Sequence, residues 1–133
     1  MKKEKQEKLY ELWFRYAFKQ LIVDKKMTAA IRPGRRLCPA PKCTNEGDLA
    51  RIKILKKPGD EEKGLMPIFD DYETIVKIEK IIVKPLKELT AKDLQKCSPD
   101  SQTPKLAKYQ LSLIYNKEFT DDEIISIVHF KYI

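Results

Sequence analysis

The sequence predicts an α+β domain whose few strands can close into a small barrel. Three observations predict it: an N-terminal stretch with apolar residues at helical spacing, later stretches that alternate or are rich in β-branched residues, and a long turn-forming segment between them. At 133 residues the chain can bury one hydrophobic core and hardly two, so 1–133 reads as a single domain, with 1–7 as a disordered basic tail. Apolar residues at 42% against 35% charged place it among folding sequences with a densely charged surface.

From 6 to 23, Leu9, Leu12, Trp13, Tyr16 and Leu21 recur at three-and-four spacing, widened by Phe14, Phe18 and Ile22, which predicts a helix. That spacing assigns Trp13 and its aromatic neighbours to the core in preference to a base-stacking platform. Pro33, Gly34, Pro39, Pro41, Asn45 and Gly47 then forbid regular structure and predict a long loop over 33–47. Residues 49–55 alternate as a strand, and 58–64 form a solvated turn. Residues 65–69 read as an edge strand or loop. The β-branched run at 72–83 is a strand ending at Pro85. Thr90 followed by Asp93 marks a capped short helix ending near Ser98-Pro99. A second helix starts after Thr103-Pro104 and ends near Asn116, and 123–133 is the closing strand.

The charge is uneven. Residues 24–57 hold ten basic groups against Asp24, Glu46 and Asp48, an excess equal to the net +7 of the whole chain. Apolar runs such as Leu21-Ile22-Val23 and Ile81-Ile82-Val83 fall far short of the roughly 20 residues a membrane-spanning helix needs. No membrane partner is expected, and the charged N-terminus without a clean apolar stretch predicts a cytoplasmic protein. An odd set of cysteines, Cys38, Cys43 and Cys97, suits reduced thiols better than bridges.

Four features in order resemble the ASCH domain family. They are the basic turn from Asp24 through Lys25, Lys26 and Thr28 to Arg32, then Glu46-Gly47-Asp48-Leu49 entering a strand, then Val76 to Ile81 with Pro85 to Thr90, and finally Leu113-Ile114-Tyr115 with a closing strand from Asp121 to Phe130. The resemblance spans about residues 8–133. It implies a PUA-like small β-barrel flanked by an N-terminal helix and two short helices, with a cleft beside the first helix lined by the basic turn and a role in binding RNA. Some small members are amidohydrolases acting on N4-acetylcytidine-type nucleosides. Their pattern is a lysine, a threonine three residues on, an arginine two further, and a distant glutamate. Here Ala30 stands two residues before Arg32, Met27 falls at the lysine position, and 95–100 contains no glutamate. Lys25 and Thr28 keep the three-residue spacing, but Arg32 then lies four residues on.

The expected ligand-binding residues are Lys25, Lys26, Thr28, Arg32, Arg35 and Arg36, cations and a hydroxyl suited to phosphate oxygens. The function they predict is non-catalytic binding of RNA or a nucleotide in a basic cleft, with no cofactor. The alternatives are an amidohydrolase using Lys25, Lys26 and Thr28, or a protein-interaction or regulatory domain. Cys38, Cys43, Cys97 and His129 could together ligate zinc, but a second tight cysteine pair is missing. Two reduced loop cysteines and a packed histidine are the favoured reading.

Overall fold

Along residues 10–15, exposure alternates: Leu12 and Phe14 are buried, while Glu11, Trp13 and Arg15 face out. That is the period of a strand, not of a helix. The computed structural model describes residues 9–133, so the expected tail at 1–7 and the first residues of the expected helix lie outside the described residues. In place of that helix are a strand, β1 (Tyr10–Arg15), a 3-10 turn (Tyr16–Phe18) and a five-residue helix, α1 (Lys19–Val23). The reason is tertiary. Tyr10, Leu12 and Phe14 also fit a period of two, and β1 pairs in parallel with β3 (Leu49–Lys57), setting Leu12 beside Ile52 and Phe14 beside Ile54.

The remaining strands are β2 (Ala29–Pro33), β4 (Ile68–Pro85) and β5 (Ile124–Tyr132), in the sheet order β1-β3-β4-β5-β2. All pairs except β1·β3 are antiparallel. The 18 residues of β4 hold β3 along their first part and β5 along their second, overlapping at Val76 and Lys77. Register shifts interrupt the ladder at Lys53/Leu55 and Ile78/Lys80. Offset neighbours and bulges bend a sheet, and the result is a curled half-barrel whose ends are β1 and β2.

The curl buries one face of β1, β3 and β4 and both faces of β5. Leu12, Phe14, Ile52, Ile54, Val76, Ile78, Val128 and Phe130 form one core with Ile22 and Met27. Ile125, Ile127, Ala29 and Ile31 pack on the other side against Leu86, Leu94, Cys97, Ala107, Leu111 and Phe119. The strands expected at 49–55, 72–83 and 123–133 are thus present, and 65–69 runs into the start of β4.

The second helix, α2 (Pro104–Tyr115), has the expected caps. Thr103 Oγ1 accepts from the Leu106 amide at 3.2 Å, Pro104 occupies the first turn, and Asn116 ends the helix with φ 52°. Thr103→Ala should lower stability by about 1 kcal/mol, read as a shift of the thermal unfolding midpoint. The expected short helix is instead a single 3-10 turn (Lys92–Leu94), and a second such turn (Pro99–Ser101) begins where it was expected to end. Its cap is nonetheless reciprocal: Thr90 N donates to Asp93 Oδ2 and Asp93 N donates to Thr90 Oγ1. No helix among the described residues is long and apolar enough to cross a membrane.

Candidate functional site

The curl brings β1 and β2, the unpaired ends of the sheet, to face each other, and one side chain spans them. Arg32, on β2, donates from Nη2 to the Trp13 carbonyl of β1 at 2.7 Å and from Nη1 to its neighbour Ile31 O at 2.8 Å. Its guanidinium lies 5.1 Å from the centre of the Phe14 ring. Part of its surface still opens to solvent, although protein surrounds the group, and this burial lowers its pKa. An arginine remains charged despite such a shift. Its hydrogen-bond acceptors are carbonyl oxygens, with no carboxylate among the described residues in contact with it.

Arg36 makes a second link across the same gap. Its Nη1 donates to Tyr10 Oη at 3.0 Å, its Nε to Pro33 O at 3.0 Å, and its backbone amide to the buried Ser126 Oγ at 2.9 Å. Around these two arginines lies a cleft of about 1030 Å³. Arg15, Lys42 and Arg51 add positive charge to its walls, Glu11 is the single acid among the described residues, and Tyr10, Trp13, Phe14, Phe18 and Tyr115 add aromatic surface. Arg15 pairs with Asp100 at 2.8 Å and Arg51 with Glu73 at 3.1 Å, both partly exposed. Arg32, Arg36 and Lys42 have no carboxylate partner among the described residues.

Of the residues singled out in the sequence, Arg32 and Arg36 line the cleft. Lys25, Lys26, Thr28 and Arg35 do not. Lys25 sits at φ 60° in the turn after α1, and Lys25 and Lys26 are exposed. Thr28 serves the fold through its backbone, its N–H donating to Lys96 O and its carbonyl accepting from Phe130 N. Arg35 Nε donates to Leu37 O. Lys42 and Arg51 carry the signal of the basic segment, whereas Arg15, Trp13 and Tyr10 are hidden by the helical reading of 6–23. Trp13 is also not a core residue: its side of β1 is open and it is 44% exposed.

The 33–47 loop is as irregular as expected, and its acids are structural. Asp48 Oδ2 accepts from Asn45 N at 3.0 Å, and Glu46 Oε2 accepts from Ile81 N at 3.1 Å beside the β4 bulge. Gly47, at φ 93°, turns the chain so that its N–H reaches Ile78 O at 2.7 Å. The cysteines differ from expectation. Cys38 and Cys43 form a disulfide, with Cα atoms 4.9 Å apart, so they are neither two reduced thiols nor part of a zinc set. The proline-rich segment between them bends back tightly enough to bring the sulfurs together. Cys97 lies apart in the second core, where burial pushes its thiol up to about 12. His129 on β5 is held below its usual pKa, first by burial and then by Lys80, and is therefore neutral near pH 7. No group of three or more histidine, cysteine, aspartate or glutamate residues is placed to hold a metal among the described residues.

No family model and no curated protein matches the sequence. Among solved structures, a protein of Enterococcus faecalis V583 from the DUF984 family aligns with 96% of this chain and 82% of its own, at 15% identity and a TM-score of 0.57. The chain shares that protein's fold. An ASCH domain from Lactobacillus crispatus JV V101 aligns with 85% of this chain and 68% of its own, at 11% identity and a TM-score of 0.49. The half-barrel with its two helices matches the α+β architecture that the ASCH resemblance implies, with β1 in place of most of the first helix.

Proposed function

We propose that this protein binds RNA in the cleft between β1 and β2 and carries out no reaction on it. The observation that carries this reading is Arg32, an enclosed guanidinium whose contacts are carbonyl oxygens, leaving its positive charge uncompensated by any described carboxylate. Enclosing a charge without a counter-ion is costly. An anionic oxygen arriving in the cleft supplies the missing partner and accepts from the donors that the two carbonyls leave free. Arg36 and Lys42 on the same wall extend the positive surface for further phosphates. The cleft is at the upper end of small-molecule pocket sizes, roughly 300–1,000 Å³, which suits a segment of a polymer. The choice of RNA among polyanions rests on the ASCH resemblance.

The test is fluorescence anisotropy with a short labelled single-stranded RNA across a salt series. If Arg32, Arg36 and Lys42 each neutralise one phosphate, affinity should fall roughly twentyfold between about 50 and about 200 mM salt, and Lys42→Ala should reduce the log–log slope by about 0.7. Binding indifferent to salt and to Lys42→Ala would overturn the reading.

A further inference from the structure

Trp13 is a large apolar side chain turned to solvent between two buried neighbours, Leu12 and Phe14, and the packing of the core gives no reason for it. It is also held in place. Its indole Nε1 donates to Glu11 Oε1 at 2.9 Å, and its ring meets Phe69 edge-to-face, centres 4.8 Å apart at 75°. The register shift between β3 and β4 places Phe69 opposite Leu55 while Glu73 stays opposite Lys53. Lys53 Nζ lies 4.1 Å from the centre of the Phe69 ring. Trp13 itself pairs with Lys53 across β1 and β3, so indole, phenyl and ammonium form one cluster on the outer face.

This cluster is continuous with the cleft. The Trp13 carbonyl is the acceptor that anchors Arg32 on the cleft wall, so a single residue joins the two places. We propose that Trp13, backed by Phe69, is a stacking platform for an unpaired base of the RNA strand as it leaves the cleft, which makes the ligand single-stranded. The proposal rests on the RNA reading of the cleft. Bases offer a flat π-face whatever their identity, and an indole fixed beside cations is the surface on which unpaired bases stack in single-strand binders. Of the two local acids, Glu73 is neutralised by Arg51, while Glu11 keeps its charge and is held against the indole N–H. Lys53, which pairs with no described carboxylate, stands beside the platform to meet a phosphate next to the base. A duplex, whose bases are already stacked on one another, presents none to this face.

Trp13 is the only tryptophan in the chain, so its emission reports on the site directly. The full chain is titrated with short single-stranded RNA, with the same sequence in a duplex, and with an abasic ribose-phosphate oligomer of equal length, while anisotropy of labelled RNA follows binding separately. Single-stranded RNA should quench Trp13, and the duplex and abasic oligomer should not. Trp13→Ala should weaken single-strand binding by roughly five- to a hundredfold, the range that base–aromatic stacking supplies. Its salt slope should stay unchanged, because no phosphate contact is removed. Trp13→Phe should recover part of the affinity. RNA binding with unchanged emission and an unaffected Trp13→Ala variant would overturn the platform and leave the cleft reading standing. Equal quenching by the abasic oligomer would overturn the platform alone, and failure of every RNA to bind would overturn both. A concentration-dependent change in Trp13 emission without RNA, accompanied by dimers in sedimentation, would assign this face to a second copy of the chain and overturn the platform.

Discussion

Phe130→Ala is expected to lower the free energy of unfolding by about 3–5 kcal/mol, measured as a fall in the denaturant midpoint at unchanged slope. Phe130 is 1% exposed and lies in the middle of the first core, 6.2 Å from the Phe14 ring and 5.6 Å from the Tyr132 ring. Its amide donates to Thr28 O, fixing β5 to the turn that leads into β2, and Tyr132 Oη donates to Met27 O in the same turn. Truncation therefore leaves a cavity where both sheet edges and α1 are supported, and the hydrogen-bonded strands around it can collapse only in part. Leu113 offers the contrast. It is 58% exposed on α2, and its replacement by alanine should move the midpoint within about 0.5 kcal/mol. Equal costs at the two positions would mean that the packing described for β5 is wrong.

Arg32→Ala should weaken RNA binding by roughly ten- to a hundredfold, the effect of removing a charge-assisted hydrogen bond of about 1.5–3 kcal/mol. Part of the loss at this site could be structural, since the guanidinium also ties β1 to β2 through Trp13 O. The two contributions separate by comparison with Arg32→Lys. A lysine keeps the charge but lacks the planar fork that reaches Ile31 O, Trp13 O and a ligand together. Its binding should be intermediate, with unfolding by denaturant close to that of Arg32→Ala. Because relieving an enclosed charge offsets the lost hydrogen bonds, Arg32→Ala should change stability by no more than about 1–2 kcal/mol. A folded Arg32→Ala variant that binds RNA as tightly as the parent would remove the central contact of the proposed site.

How far these features can be seen in the sequence depends on how local their causes are. Strands β3, β4 and β5 announce themselves through alternation and β-branched residues, and α2 through Thr103, Pro104 and Asn116, all signals contained in a few adjacent positions. The stretch 6–23 is different. Leu9, Leu12, Trp13 and Tyr16 satisfy the helical period, while Tyr10, Leu12 and Phe14 satisfy that of a strand. What decides between them is the parallel partner at Ala50–Leu55, which no local pattern reveals. The same ambiguity divides the site. Arg32 and Arg36 are legible as charge in a basic segment, but the wall facing them belongs to β1, and a helical reading turns Trp13 inward. The disulfide is hidden for another reason: two cysteines five positions apart fit a bridge, a metal site or free thiols, and only the path of the prolines between them selects one.

The parallel pairing of β1 with β3 also bridges more of the chain than the pairing of β3 with β4. Tyr10 meets Ala50 only after the turn, β2 and the whole 33–47 loop have been crossed, while β3 and β4 are joined by a short connection and pair antiparallel. Closing the longer loop costs more chain entropy for a contact that only one neighbouring strand rewards. Strands β1 and β2, each held by a single neighbour and by pairings across a long stretch of chain, should therefore open their backbone amides to solvent exchange ahead of those of β4. A ligand seated between β1 and β2 would slow that opening, so the protection of these two edge strands is what most sensitively records occupancy of the cleft.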